Sequence, residues 1–220
     1  MRIGVLGTGA VGQALATRLV ALGHDVMMGT RDAANPKAAA WATAAGGPGP
    51  ASAGTFADAV HHGEVVINAT AGTASLAALQ AAGGAEALSG KVLVDVANPL
   101  DFARGAPPTL AVANTDSLGE QIQRAFPGAR VVKTLNTVNA NVMVHPEKVP
   151  GGHTVFVAGD DPAARQTVIE LLRELGWLNG DILDLGGIQA ARGMEMYLPL
   201  WLSMTAAQET PMFNIRVARA

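Results

Sequence analysis

The sequence predicts an α/β protein: a doubly wound, mostly parallel sheet with a small C-terminal helical and strand extension. Three observations carry this. Short apolar runs alternate with helix-patterned segments, the order of parallel strands joined by crossover helices. Most of the runs are rich in Val and Ile and end in Gly, Asn or Asp, as strands buried on both faces do. The first run leads straight into Gly7-Thr8-Gly9-Ala10-Val11-Gly12 and then a helix pattern, inside a strand–helix–strand unit of about 30 residues.

Composition bounds the rest. The chain has 220 residues, 49% hydrophobic and 15% charged, which suits one domain or one large domain with an appendage. A net charge of −3 gives no basic footprint for nucleic acid. No run approaches the roughly 20 apolar residues of a membrane span. The start enters a strand pattern at Arg2 without a charged leader and cleavage site, so a cytoplasmic protein is expected. The absence of Cys excludes disulfides, thiolate zinc sites and Cys nucleophiles. No metal-ligand spacing occurs either.

The elements follow in order. Residues 3–6 form the first strand. Residues 10–22 place Val11, Leu15, Leu19 and Leu22 on one helical face, and Gly23 follows as a C-cap. A second strand covers 25–28. An Ala-rich helix over 36–45 has Pro36 in its first turn. The Gly/Pro/Ala-rich stretch 46–54 is expected to be a surface loop. Strands follow at 64–68, 91–96, 130–135, 153–157 and 181–185, with helices over 117–126, 162–175 and 188–206. The segment 98–115, with Pro99, Pro107 and Pro108, is long for a connection; such a segment is either an ordered functional loop or, equally, a disordered excursion. The expected division is a dinucleotide-binding domain over 1–150 and a C-terminal portion over 151–220.

In the glycine motif, Gly7 allows the tight turn, Gly9 lets the backbone approach a pyrophosphate, and Gly12 lets the helix pack closely on the strand. The helix start offers free N–H groups and the positive dipole end. Binders of NAD carry an Asp or Glu about 20 residues beyond this motif. This chain has Thr30-Arg31 at the end of the second strand. Arg can clamp a 2′-phosphate, Thr can donate one hydrogen bond, and Lys37 adds a point charge. NADP(H) is therefore expected over NAD(H). Asp32 lies past the expected position and is read as either pointing to solvent or capping the following turn.

Three further strands end in small polar residues: Asn68-Ala69-Thr70, Asn98 after Asp95, and Asn136-Thr137. At the carboxyl ends of a doubly wound sheet these would line one cleft, though Asn and Thr also simply cap strands and helices. No general acid or base is identifiable, because the five histidines sit at the wrong end of the sheet or flank the loop at 150–152. Hydride transfer between two redox cofactors needs positioning more than proton chemistry. Reduction of a carbonyl or imine needs a proton donor.

Gly7 to Gly12, Gly29-Thr30-Arg31, the Asp95 to Leu100 stretch, Lys133-Thr134-Leu135-Asn136-Thr137, the 195–202 helix stretch and Phe213-Asn214-Ile215 resemble the NADPH-dependent reductases of the deazaflavin coenzyme F420. The NADP-binding domains of the STEAP metalloreductases are a more distant likeness. The resemblance implies an NADP-dependent oxidoreductase that moves hydride between NADP(H) and a deazaflavin or flavin-like acceptor in a cleft closed by the C-terminal part. It implies that Thr8, Ala10, Val11 and Gly12 hold the pyrophosphate, Thr30, Arg31 and Lys37 the 2′-phosphate, and that Asn136 and Thr137 lie near the nicotinamide and acceptor ring. Arg104, Lys133 and Arg192 are candidates for an acidic acceptor tail. The apolar stretch from Met194 to Met204 would floor the acceptor pocket, fill the core or form a homodimer interface. A reductase of small imines or carbonyls and a non-catalytic NADP(H) sensor are the competing readings.

Overall fold

The alternation of buried runs and helices is realised as one long sheet covered on both faces. The computed structural model describes residues 1–218. Its elements are β1 (Arg2–Leu6), α1 (Ala10–Ala21), β2 (Asp25–Thr30), α2 (Pro36–Ala44), β3 (Ala51–Thr55), α3 (Phe56–His62), β4 (Val65–Asn68), α4 (Ser75–Ala81), α5 (Gly84–Leu88), β5 (Val92–Asp95), β6 (Leu100–Asp101), β7 (Thr109–Leu110), α6 (Leu118–Ala125), β8 (Arg130–Thr134), α7 (Ala140–Val144), β9 (Val155–Ala158), α8 (Pro162–Leu175), β10 (Ile182–Asp184), α9 (Ala191–Met196) and α10 (Leu198–Gln208). Three 3-10 turns at Gly72–Ala74, Pro146–Lys148 and Ile188–Ala190 complete them.

The main sheet runs β10-β9-β8-β5-β4-β1-β2-β3. Every pairing in it is parallel except β8 with β9. The chain moves outward from β1 through β2 to β3, then crosses back to place β4 on the other side of β1. That reversal opens a crevice at the carboxyl ends of β1 and β4. Alternate residues feed two cores: Val65 and Ile67 of β4 pack in one cluster, Val66 in the other. Two-sided burial is why the strands read as unbroken apolar runs. β9 and β10, both beyond residue 150 and joined by α8, extend this same sheet.

The structure corrects or adds to the sequence expectations in four places. The presumed loop over 46–54 ends in β3, an edge strand parallel to β2. Its residues Ala51, Ser52, Ala53 and Gly54 are too small to show an apolar alternation. The short helices α3, α4, α5 and α7 fall in stretches without a readable period. The segment 98–115 carries the antiparallel pair β6–β7. The single helix expected over 188–206 is a 3-10 turn followed by two helices. Pro199 stands in the first turn of α10, where its missing N–H costs nothing, whereas inside one continuous helix it would break a hydrogen bond. The chain then turns back, stacking Phe213 on Trp201 at 5.7 Å between ring centroids. Asn214 donates to His153 Nδ1 and to the Thr154 carbonyl, each at 2.9 Å.

A Cβ on Gly12 would lie 2.1 Å from the Gly7 carbonyl oxygen, whereas one on Gly9 would meet nothing within 4 Å. Gly12→Ala is therefore expected to lower unfolding stability by about 1–3 kcal/mol through overpacking. Gly9→Ala should cost under about 1 kcal/mol, a helix N-cap effect only. Urea denaturation of the two variants checks the difference.

Candidate functional site

The turn after β1 is shaped by its glycines. Gly7 has φ 117°, and a Cβ there would sit 2.6 Å from the Ala69 carbonyl oxygen. Gly9 is the N-cap of α1 and brings no capping side chain. By contrast α2, α3, α6 and α8 are each capped by a side chain. The first amides of α1 are thus left for a ligand, at the positive end of the helix dipole. Gln13 Nε2 braces the turn by donating to the Thr8 carbonyl at 2.8 Å.

Two recesses meet at this turn. One, of about 650 Å³, is bounded by Gly7, Thr8, Gly9, Thr30, Arg31 and α4. The other, of about 440 Å³, is bounded by Ala10, Val11, Asn98, Asn136, Phe102 and Trp201, among others. Ala69, Thr70 and Ala71 form the wall between them and belong to both. The pair has the size and arrangement of a dinucleotide site at a topological switch point.

The structure gathers most of the expected residues here and displaces others. Gly12 lines neither recess and acts through its contact with Gly7. Asn68 is fully buried. Its amide donates to Asp95 Oδ1 at 2.8 Å and to Ser75 Oγ at 3.0 Å, while its oxygen accepts from the Thr70 hydroxyl at 2.7 Å. It orients Thr70 rather than facing the cleft. Thr137 is buried and lines neither recess. Lys37 is exposed on α2, outside both. Thr30 lines the first recess, but its hydroxyl donates to the Asp32 carbonyl, so that proton is not offered to a phosphate. Asp32 Oδ1 accepts from Ala34 N at 2.9 Å, capping the turn. Arg31 is exposed and makes no ion pair among the described residues.

At the inner end of the second recess, Asn136 Nδ2 donates to Asn98 Oδ1 at 2.9 Å, and Asn98 Nδ2 donates to the Asn136 carbonyl at 2.8 Å. Asn136 Nδ2 also donates to the Met194 carbonyl at 3.0 Å. The backbone oxygens fix both amide orientations. Asn136 follows Leu135, whose φ of 60° is left-handed. Asn136 N closes a tight turn onto the Thr134 carbonyl at 2.7 Å. Backbone strain of this kind persists where surrounding structure enforces it, often at functional sites.

Sequence reasoning missed the charge cluster beneath the cleft. Lys133 is fully buried, with Nζ 2.8 Å from Asp95 Oδ2, 2.8 Å from Glu195 Oε1 and 2.5 Å from the Ala97 carbonyl. Glu195 also accepts from Leu118 N at 2.8 Å and Gly119 N at 3.1 Å, the first amides of α6. Burial alone would push the Lys133 ammonium down, but the Asp95 and Glu195 carboxylates outweigh it and hold its pKa above the ordinary value. Burial pushes the Glu195 carboxyl up, against the pull of Lys133. One cation faces two carboxylates, and the α6 amides and dipole take up the surplus negative charge. The available signal was a charge inside each of three apolar runs: Val-Val-Lys, Val-Leu-Val-Asp and Met-Glu-Met.

Two candidates for an acidic acceptor tail are thereby removed. Lys133 is enclosed, and Arg192 is held in a two-pronged pair with Glu120 at 2.8 and 2.6 Å. Arg104 remains, exposed between β6 and β7.

A doubly wound sheet with this turn and these paired recesses defines the class of dinucleotide-binding α/β proteins. Comparison with known proteins agrees. Residues 2–99 match the family described as NADP oxidoreductase coenzyme F420-dependent. A crystal structure from Arthrobacter sp. FB24, provisionally described as an F420-dependent NADP-reductase, is 52% identical over all of both chains, with a TM-score of 0.92. The F420-dependent NADP reductase of Methanothermobacter marburgensis is 29% identical, covering 99% of this chain and 98% of its own length. Metalloreductase STEAP3 of Rattus norvegicus is 33% identical over 91% of this chain, which spans only 38% of that relative's length. The chain belongs to the family of coenzyme F420-dependent NADP oxidoreductases and is an NADP-dependent oxidoreductase. No helix among the described residues is long and apolar enough to cross a membrane.

Lys133→Met leaves the Asp95 and Glu195 carboxylates buried without their cation. The expected loss is about 3–5 kcal/mol of unfolding stability, measured by urea denaturation against wild type.

Proposed function

We propose that this oxidoreductase transfers hydride between NADP(H) and a flat ring acceptor, a deazaflavin such as coenzyme F420 or a flavin. The observation that carries the reading is the lining of the second recess. None of its lining residues is ionisable, and its walls are apolar apart from Thr70, Asn98, Asn136 and Asn139. Such a cleft offers positioning and water exclusion but no side chain to protonate a carbonyl or imine product. Phe102, 62% exposed, and Trp201 both border it, and aromatic faces suit a planar ring.

In this reading the uncapped start of α1 and the open Gly9 hold the pyrophosphate, and Arg31 holds the 2′-phosphate. Bound NADPH supplies the hydride. Asn98 and Asn136 hold the nicotinamide at the inner end of the cleft, where their mutual hydrogen bonds keep both amides in one orientation. The segment beyond residue 150 contributes Leu198 and Trp201 as the cover over the acceptor. The remaining proton of the two-electron reduction comes from solvent. The family relatives named for F420 support the same acceptor class.

Two measurements test this. Arg31→Ala is expected to weaken NADPH more than NADH by about 1.5–3 kcal/mol, the scale of hydrogen bonds to a charged group; equal losses in titration would remove the 2′-phosphate assignment. NADPH oxidation, followed spectrophotometrically, is expected with coenzyme F420, FMN or FAD as acceptor. A protein that binds NADPH but turns over with none of the three would overturn the acceptor reading.

A further inference from the structure

Lys133, Asp95 and Glu195 touch neither recess, yet they join three parts of the second one: the wall at Thr70, the turn at Ala97–Asn98, and the C-terminal helices. From the ammonium, the Asp95 branch runs through Asn68 to Thr70 on the shared wall. A second branch ends on the Ala97 carbonyl, beside Asn98 in the cleft. The third reaches Glu195 on α9, just before Leu198 and Trp201. The three ammonium protons are matched by three acceptors, so the geometry is fully determined. The same strand end grips α9 a second time, through Asn136 Nδ2 and the Met194 carbonyl.

A buried ion cluster is a poor way to gain stability, since apolar residues of similar volume often do as well or better. What it does supply is direction: a charge in a low-dielectric interior tolerates few arrangements of its partners. We propose that Lys133 and Glu195 are positioning residues that latch α9 to the ends of β5 and β8 and so set how closely Leu198 and Trp201 close over the acceptor. This rests on reading the second recess as the acceptor site. The adenosine end, built from β1, β2 and α1, lies outside the latch. Opening the latch therefore loosens the acceptor and leaves the dinucleotide's hold on the α1 turn intact.

Glu195→Gln tests the latch. Both Glu195 oxygens accept hydrogen bonds, so a Gln amide must turn its NH₂ toward either Lys133 or the α6 amides, and the grip is lost without a change in size. The KM for the flavin or deazaflavin acceptor is expected to rise about tenfold or more, the scale of a modest misplacement. The NADPH Kd should change by less than the acceptor KM, since the pyrophosphate and 2′-phosphate contacts at the α1 turn and Arg31 lie off the latch, and only the nicotinamide end, at Asn98 and Asn136, borders it. Glu195→Asp keeps the charge with a shorter reach, folds more readily, and should give a smaller rise in the same direction. Hydrogen–deuterium exchange provides a readout independent of turnover: amides of 191–208 should exchange at least about tenfold faster in Glu195→Gln, with β1, β4 and β5 unchanged. An unaltered acceptor KM together with unaltered exchange in a folded variant overturns the latch, as does equal weakening of NADPH and acceptor. If wild type reduces no acceptor but exchange at 191–208 rises in the variant, the acceptor reading falls and the latch stands.

Discussion

Lys133 lies in the sheet interior with a carboxylate 2.8 Å away on each of two sides, one from the neighbouring strand and one from the C-terminal helices. An ammonium at that depth is tolerated only if every proton is engaged and its charge is answered. That requirement constrains the architecture widely. It fixes the end of β5 against the end of β8, the Ala97–Asn98 turn above them, and α9 across both. It also draws in α6, whose first amides, after the Ser117 N-cap, donate to the Glu195 carboxylate that Lys133 leaves in excess.

Around this node the fold divides its work between two kinds of contact. The recess at the α1 turn, proposed for the adenosine and pyrophosphate, is shaped by backbone: a left-handed Gly7 and an α1 N-cap without a side chain. The other end relies on side chains, with paired Asn amides, an exposed Phe102 and a half-buried Trp201 around an apolar space. Backbone recognition suits the dinucleotide phosphates, which present the same oxygens in every member of a dinucleotide-binding class. Side-chain recognition leaves the acceptor open to change. A family whose relatives are named for different reductions is consistent with that split.

Legibility followed the same divide. The glycine turn and the first strands and helices are readable because local sequence dictates them: glycine geometry, an apolar period, a Pro in a first turn. β3 was not, since an edge strand of Ala, Ser and Gly carries no alternation. Asn68 and Thr137 looked like cleft residues because they sit at strand ends, yet their side chains are buried. Thr30 looked like a phosphate donor, yet its hydroxyl is spent on the Asp32 carbonyl. In each case the position was right and the direction of one side chain decided the role.

The sequence by itself determined a doubly wound, mostly parallel sheet and a glycine turn between the first strand and the first helix, because these depend on residues close together in the chain. Only the tertiary structure decided that Lys133 is a structural cation rather than a partner for an acidic ligand, and that the second recess lacks any ionisable lining. The first arises from contacts among Asp95, Lys133 and Glu195, and the second from the meeting of α1, the 96–102 segment, the 136–143 segment and α10, all far apart in sequence. Whether a charge is free or answered depends on what the fold brings to it, and no local pattern in the chain records that.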